Sequence, residues 1–228
     1  MGKMALGYGS EFHLLRWLGR HRIEFNKRIK NTIGVDNITW LDFNFDKTNE
    51  IPDKELIGLE FLENEPEFNK VLNSWKNEWP QSGNSMNWDL IGYTINKNIK
   101  TWILIEAKAH LGEIQQSCGA SSIKSKEKIK NAFSNTAKNN GIIIKKDKPW
   151  TNKFYQFANR IYVLDLLKRN GINAKLINIY FVGDMISRNR KSPRNKEEWK
   201  PKIDEIKNYL SVENSNLEIY ELFLDVDK

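Results

Sequence analysis

The 228-residue chain contains one cysteine, Cys118, so an internal disulfide is excluded and a reducing, cytoplasmic setting is expected. Its three histidines are scattered, which gives little support to a structural zinc cage. No segment approaches the ~20 apolar residues of a membrane span. The opening MGKMALGYGS has no signal-like apolar stretch. Its glycines also lack the Lys-Ser/Thr ending of a nucleotide-phosphate loop, so an ATPase is not indicated. The expectation is a cytoplasmic protein with no membrane partner.

Residues of the apolar class make up 39% of the chain, enough for a folded core without cross-links, and the length suits one domain over residues 1–228. The formal charge is +7, which favours phosphate polyanions as partners. Three basic clusters carry this excess: residues 16–30, 124–148 and 185–202. They could ring a nucleic-acid groove, although a charge run on a solvated surface is the plainer reading of each.

Periodicity divides the chain into alternating helices and strands, which argues for an α/β fold. One helix is expected over residues 11–30, facing the core with Leu15, Leu18, Phe25 and Ile29 and ending at Gly34. A strand follows at 38–45 and a helix at 65–79, with Phe68, Leu72 and Trp75 inward. Further helices are expected at 123–139 and 152–170. The near-continuous apolar run Lys175–Val182 reads as a strand buried on both faces. Residues 142–144 read as a short strand or an extended link. Asn195 and Glu198 have capping-box spacing before a helix in which Pro201 marks a kink or the true start. An edge strand at 217–224 completes the pattern. Trp75, Trp79 and Trp150 either pack internally or build an interface, which leaves a homodimer open.

The chemically informative segment is WDLIGYTI (88–95) followed by TWILIEAKA (101–109). A two-residue turn at Lys97–Asn98 would make a hairpin, place Asn96 opposite Ile99, and bring Asp89 opposite Glu106. Strand alternation puts Glu106 and Lys108 on one face, at the charged end of an apolar strand, where burial demands pairing or metal coordination. Two carboxylates and an ammonium suit phosphodiester hydrolysis. Asp89 and Glu106, with the carbonyl of Ala107, would offer oxygen ligands to Mg²⁺, with Mn²⁺ as a substitute. Lys108 would orient water or stabilise developing charge, and its action as a base depends on opposing effects of burial and nearby carboxylates.

Asp89…Glu106-Ala107-Lys108, on consecutive strands after a helix, resembles the PD-(D/E)xK nuclease superfamily, with Trp88 where the motif has proline. The resemblance implies a restriction-endonuclease-like mixed central sheet flanked by helices, with an αβββαβ core over about 10–183. Insertions would lie at 45–83 and 110–148, with a helix-strand extension at 184–228. It also implies a metal-dependent nuclease, acting on DNA in preference to RNA. A non-catalytic nucleic-acid-binding protein and a ribonuclease are the alternatives. By the same resemblance, Glu11, or second to it Glu24, would join the metal site from the first helix. Gln156 and Arg160 would contact nucleic acid from the helix after the third strand. His110 is a further candidate phosphate contact, sharing the face of Lys108 if the strand persists, while Glu113 and Gln115 follow close enough to line the pocket.

Overall fold

The computed structural model describes residues 8–41, 55–82, 86–185, 192–213 and 215–227. The N-terminal amphipathic stretch forms two helices, α1 (Ser10–Arg20) and α2 (Arg22–Ile33), where its periodicity predicts one. His21 leaves helical geometry at φ −124° and ψ 26°. Beside this break the Leu18 carbonyl accepts a hydrogen bond from Arg22 Nε at 2.9 Å, so the interruption leaves that backbone group satisfied. Leu14, Trp17 and Leu18 are buried, whereas Leu15 is only half-buried. Gly34, at φ 68°, closes α2 in the left-handed conformation that glycine adopts without strain.

Next come the short strands β1 (Thr39–Trp40) and β2 (Leu56–Ile57), helix α3 (Phe68–Glu78), and strands β3 (Asn87–Trp88), β4 (Leu90–Asn96) and β5 (Ile99–Lys108). Residues 42–45 of the expected first strand lie outside the described residues. Helices α4 (Ile123–Asn139) and α5 (Tyr155–Arg169) precede β6 (Asn173–Val182), α6 (Lys196–Leu210) and β7 (Ile219–Asp225). The main sheet has the order β1-β4-β5-β6-β7. It is mixed: β1, β4 and β5 pair antiparallel, while β5, β6 and β7 pair parallel. The segment after residue 183 thus contributes a strand to this sheet, and β2 and β3 form a separate two-stranded sheet.

The expected hairpin forms in the expected register, from Asn96↔Ile99 to Leu90↔Ile105. Lys97 and Asn98 both take positive φ (49° and 64°), as a two-residue turn of the primed kind requires. Strand 88–95 is not continuous, however. The chain bends at Asp89, and Trp88 pairs instead with Leu56. The fully buried Trp88 ring donates from Nε1 to the Gly58 carbonyl at 2.9 Å, an anchor that turns the chain out of the ladder. Gly92 is required where it stands: a Cβ there would meet Trp40 Cε3 at 2.5 Å and the Thr39 carbonyl at 2.8 Å.

Two apolar layers cover the main sheet. On one face, Ile103, Ile105, Ala107 and Ala109 pack with the buried residues of α1 and α2. On the other, Trp102 and Leu104 pack with α3, α4, α5 and α6. Trp75, Trp79 and Trp150 are buried in this second layer and pack in the core. In α3, Val71 and Trp75 are buried, while Phe68 and Leu72 are half-buried. Residues 142–144 are a link without strand pairing, and α5 starts three residues later than predicted, after Phe154 at φ 59°. Asn195 Oδ1 caps α6 by accepting from Glu198 N at 2.9 Å, and the helix runs through Pro201. Among the described residues, no helix is long and apolar enough to cross a membrane.

Candidate active site

The end of β5 outlasts β4. The ladder stops at Leu90↔Ile105, one step before the predicted pair Asp89↔Glu106. Asp89 nevertheless stays beside the strand, because its Oδ2 accepts the Ala107 N–H at 2.6 Å. Two residues on, Glu113 Oε2 accepts the Ala109 N–H at 2.7 Å. Carboxylates thus take the positions that carbonyls of a longer β4 would fill.

Glu106 and Lys108 lie on the same face of β5 as Trp102 and Leu104, under α5, and are 1% and 6% exposed. Lys108 Nζ donates to Glu106 Oε1. Arg160, 2% exposed, reaches down from α5: its Nε donates to Glu106 Oε2 at 2.7 Å, its Nη2 to the Asn87 carbonyl, and its guanidinium lies 4.5 Å from the Trp88 ring centroid. Both Glu106 oxygens are therefore held by cations, as a buried charge demands.

This arrangement separates the two carboxyls. Burial, reinforced by the Glu106 charge, raises the Asp89 pKa from its usual 3.8 to about 7 against the opposing pull of Lys108, the Ala107 N–H and Arg160. For Glu106, burial pushes upward but is overcome by Arg160 and Lys108, and the result is a lowered pKa. Burial pulls the Lys108 pKa down, yet Glu106 and Asp89 outweigh it and hold Lys108 as an ammonium. The contest that sequence left open is decided for the charged form.

A cleft of about 760 Å³ opens beside this cluster. Asp89, Gln156 and Arg160 are on its wall; Glu106 and Lys108 sit out of that lining, behind them. Sequence reasoning missed a further part of the lining, Gln116, Ser117 and Gly119–Ser122 with Ser125 in the first turn of α4. Its signal was the small polar run Ser117–Ser122 leading into a lysine-rich helix.

Other predicted residues fall elsewhere. Glu11 is exposed on α1, the helix whose buried side chains pack on the opposite face of the sheet, and no contact joins it to Asp89, Glu106 or Lys108. Glu24, the second choice, pairs with Arg28 on α2 at 3.0 Å. His110 belongs to the turn after β5: its Nδ1 accepts from Gly112 N at 3.1 Å, and Nε2 lies 3.1 Å from Glu113 Oε1. Arg160, expected to touch phosphate, is engaged with Glu106. Among the described residues, no group of three His, Cys, Asp or Glu side chains is placed to hold a metal ion. The available donor set is two carboxylates and a backbone carbonyl, since Ala107 C=O leaves β5 on the same edge as the N–H that meets Asp89.

Comparison with protein-family models, with curated proteins and with solved structures finds no match to this chain.

Proposed function

We propose that the chain is a metal-dependent nuclease with a restriction-endonuclease-like fold, hydrolysing phosphodiester bonds, with DNA the favoured substrate. The observation that carries this reading is the convergence of Asp89, Glu106, Lys108 and Arg160 at one end of β5, beside a cleft. The chain order α1–α2, β1, β4, β5, α5, β6 supports an αβββαβ core, with β2, α3, β3 and α4 as insertions.

Mg²⁺, or Mn²⁺ in its place, fits the donor set, because a magnesium site needs only one or two protein carboxylates with the remaining positions left to water and phosphate. Asp89, Glu106 and the Ala107 carbonyl would hold it, and the bound ion would polarise the scissile phosphate and acidify the attacking water. The high proton affinity of Asp89 marks a carboxyl whose charge is poorly compensated, and a divalent cation would correct that.

Lys108 acts as a fixed positive charge toward the transition-state oxygens, because its carboxylate neighbours keep it protonated. Arg160 exchanges Glu106 for the incoming phosphate, which releases a Glu106 oxygen. Glu11 has no part in this reading.

The test is cleavage of labelled single-stranded, duplex and branched DNA and of RNA, with Mg²⁺ or Mn²⁺ and then with EDTA, by the wild type and by Lys108→Ala. Loss of cleavage in both the variant and EDTA is expected. Equal activity of purified Lys108→Ala would remove that residue from the mechanism. A second reading, a nucleic-acid-binding protein without turnover, is favoured by one observation: both Glu106 oxygens are already bound by cations. Nucleic-acid binding with no cleavage in any metal would select it.

A further inference from the structure

We infer that the cleft takes an unpaired stretch of polynucleotide, with a phosphate at the N-terminus of α4 and an unstacked base against Asn159. This rests on the nucleic-acid reading above and narrows its substrate to single strands, frayed ends or melted segments.

Helix α4 is 17 residues long and begins on the cleft wall with Ser122 and Ser125. Its first turn carries no acid, and Ser122 Oγ accepts the Ser125 N–H at 3.0 Å and donates to Ser125 Oγ at 2.8 Å. The remaining first-turn amides, which have no partner within the helix, suit phosphate oxygens.

The second observation comes from α5, which lines the same cleft. Asn159 is 8% exposed and borders the same cleft with its Oδ1 unpartnered. Gln156 Oε1 and Arg160 Nη1 are also buried without partners. A buried polar atom left unsatisfied costs about 1–3 kcal/mol, and three on adjacent turns of one helix, all beside one cleft, are groups that the polar edge of a ligand would satisfy. Two acceptors and one donor match the mixed edge of a base more closely than they match phosphate alone. In a duplex such edges are paired inside the stack, so a base presents its edge to these groups only after it has left its partner. Tyr155, half-buried, lines the same cleft, with its ring edge-to-face on Phe133 at 5.8 Å and its hydroxyl bonded to Asn159. Asp89 shares the wall, so a strand lying here passes the candidate catalytic cluster.

The experiment measures binding by fluorescence anisotropy in EDTA, which separates it from cleavage. The probes are short labelled single-stranded DNA, its RNA counterpart, and a closed dumbbell duplex of the same sequence. Single strands should bind roughly tenfold tighter than the dumbbell. Asn159→Leu, assayed where the variant is folded, should weaken single-strand binding more than dumbbell binding, whereas a merely structural asparagine would leave the ratio of the two unchanged. Ser122→Asp keeps a good helix cap while placing a negative charge where the phosphate would sit, so it should bind single strands more weakly with the fold intact. Equal affinity for dumbbell and single strand, or wild-type affinity in Ser122→Asp, would overturn the inference. Single-strand binding that depends on Ser122 and Asn159, with no cleavage in Mg²⁺, would uphold it and remove the nuclease reading. Cleavage without strand preference would do the reverse.

Discussion

The two faces of β5 use the same backbone for opposite purposes. On one, Ile103, Ile105, Ala107 and Ala109 stay apolar to the strand's end and are sealed by α1 and α2. On the other, Trp102 and Leu104 give way to Glu106 and Lys108, beside the end of β4 and the opening of the cleft. One face contributes only packing. The second starts as core and becomes a charged cluster, so its last residues are held by ion pairs whose desolvation penalty offsets much of their attraction.

The largest test of this contrast removes one charge. Glu106→Gln leaves Lys108 and Arg160 buried without their counter-ion and should cost about 3–5 kcal/mol in urea unfolding. Replacing all three by apolar residues (Glu106→Leu, Lys108→Met, Arg160→Met) should restore wild-type stability or exceed it, while abolishing the proposed cleavage. A triple variant less stable than Glu106→Gln would refute the idea that function, not stability, keeps these charges.

Acidity sharpens the same contrast. Asp89 binds its proton more tightly in the fold, at a pKa of about 7 against the usual 3.8. Its contribution to stability is complete below the lower value and is lost as pH rises to the upper one. Relative to Asp89→Asn, the wild type should therefore lose about 1.4 kcal/mol per pH unit between those limits. Saturating Mg²⁺ should flatten the slope by holding the carboxylate ionised, and a flat difference without metal would place Asp89 in ordinary solvent contact. The smallest effect belongs to the apolar face: Ile103→Val should cost about 0.5–1.5 kcal/mol and leave the proposed cleavage unchanged.

Much of this contrast was legible in the sequence, because alternation and turn chemistry are local. The Lys97–Asn98 turn, the register counted from it, the shared face of Glu106 and Lys108, and the buried run of β6 all follow from neighbouring residues. What stayed hidden depends on distant partners. The break at His21 lies within an unbroken helical pattern. Asp89 leaves its strand because Trp88 is claimed by β2 and Gly58, some thirty residues earlier. Arg160 meets Glu106 only because α5 packs across β5, so its pairing with that carboxylate has no signature at either position. Glu11 follows from the resemblance alone, and helix α1 covers the other side of the sheet.

The carboxylates of Asp89 and Glu113 have a consequence beyond chemistry. A central strand that outruns its neighbour presents bare amides, an invitation to any extended chain seeking a pairing edge. Here each amide is met by a group that accepts hydrogen bonds and, when ionised, offers none in return, so an intruding strand finds no ladder to join. Edge pairing at the open end of the candidate site is thereby disfavoured, and losing both acids at once would leave two bare amides there.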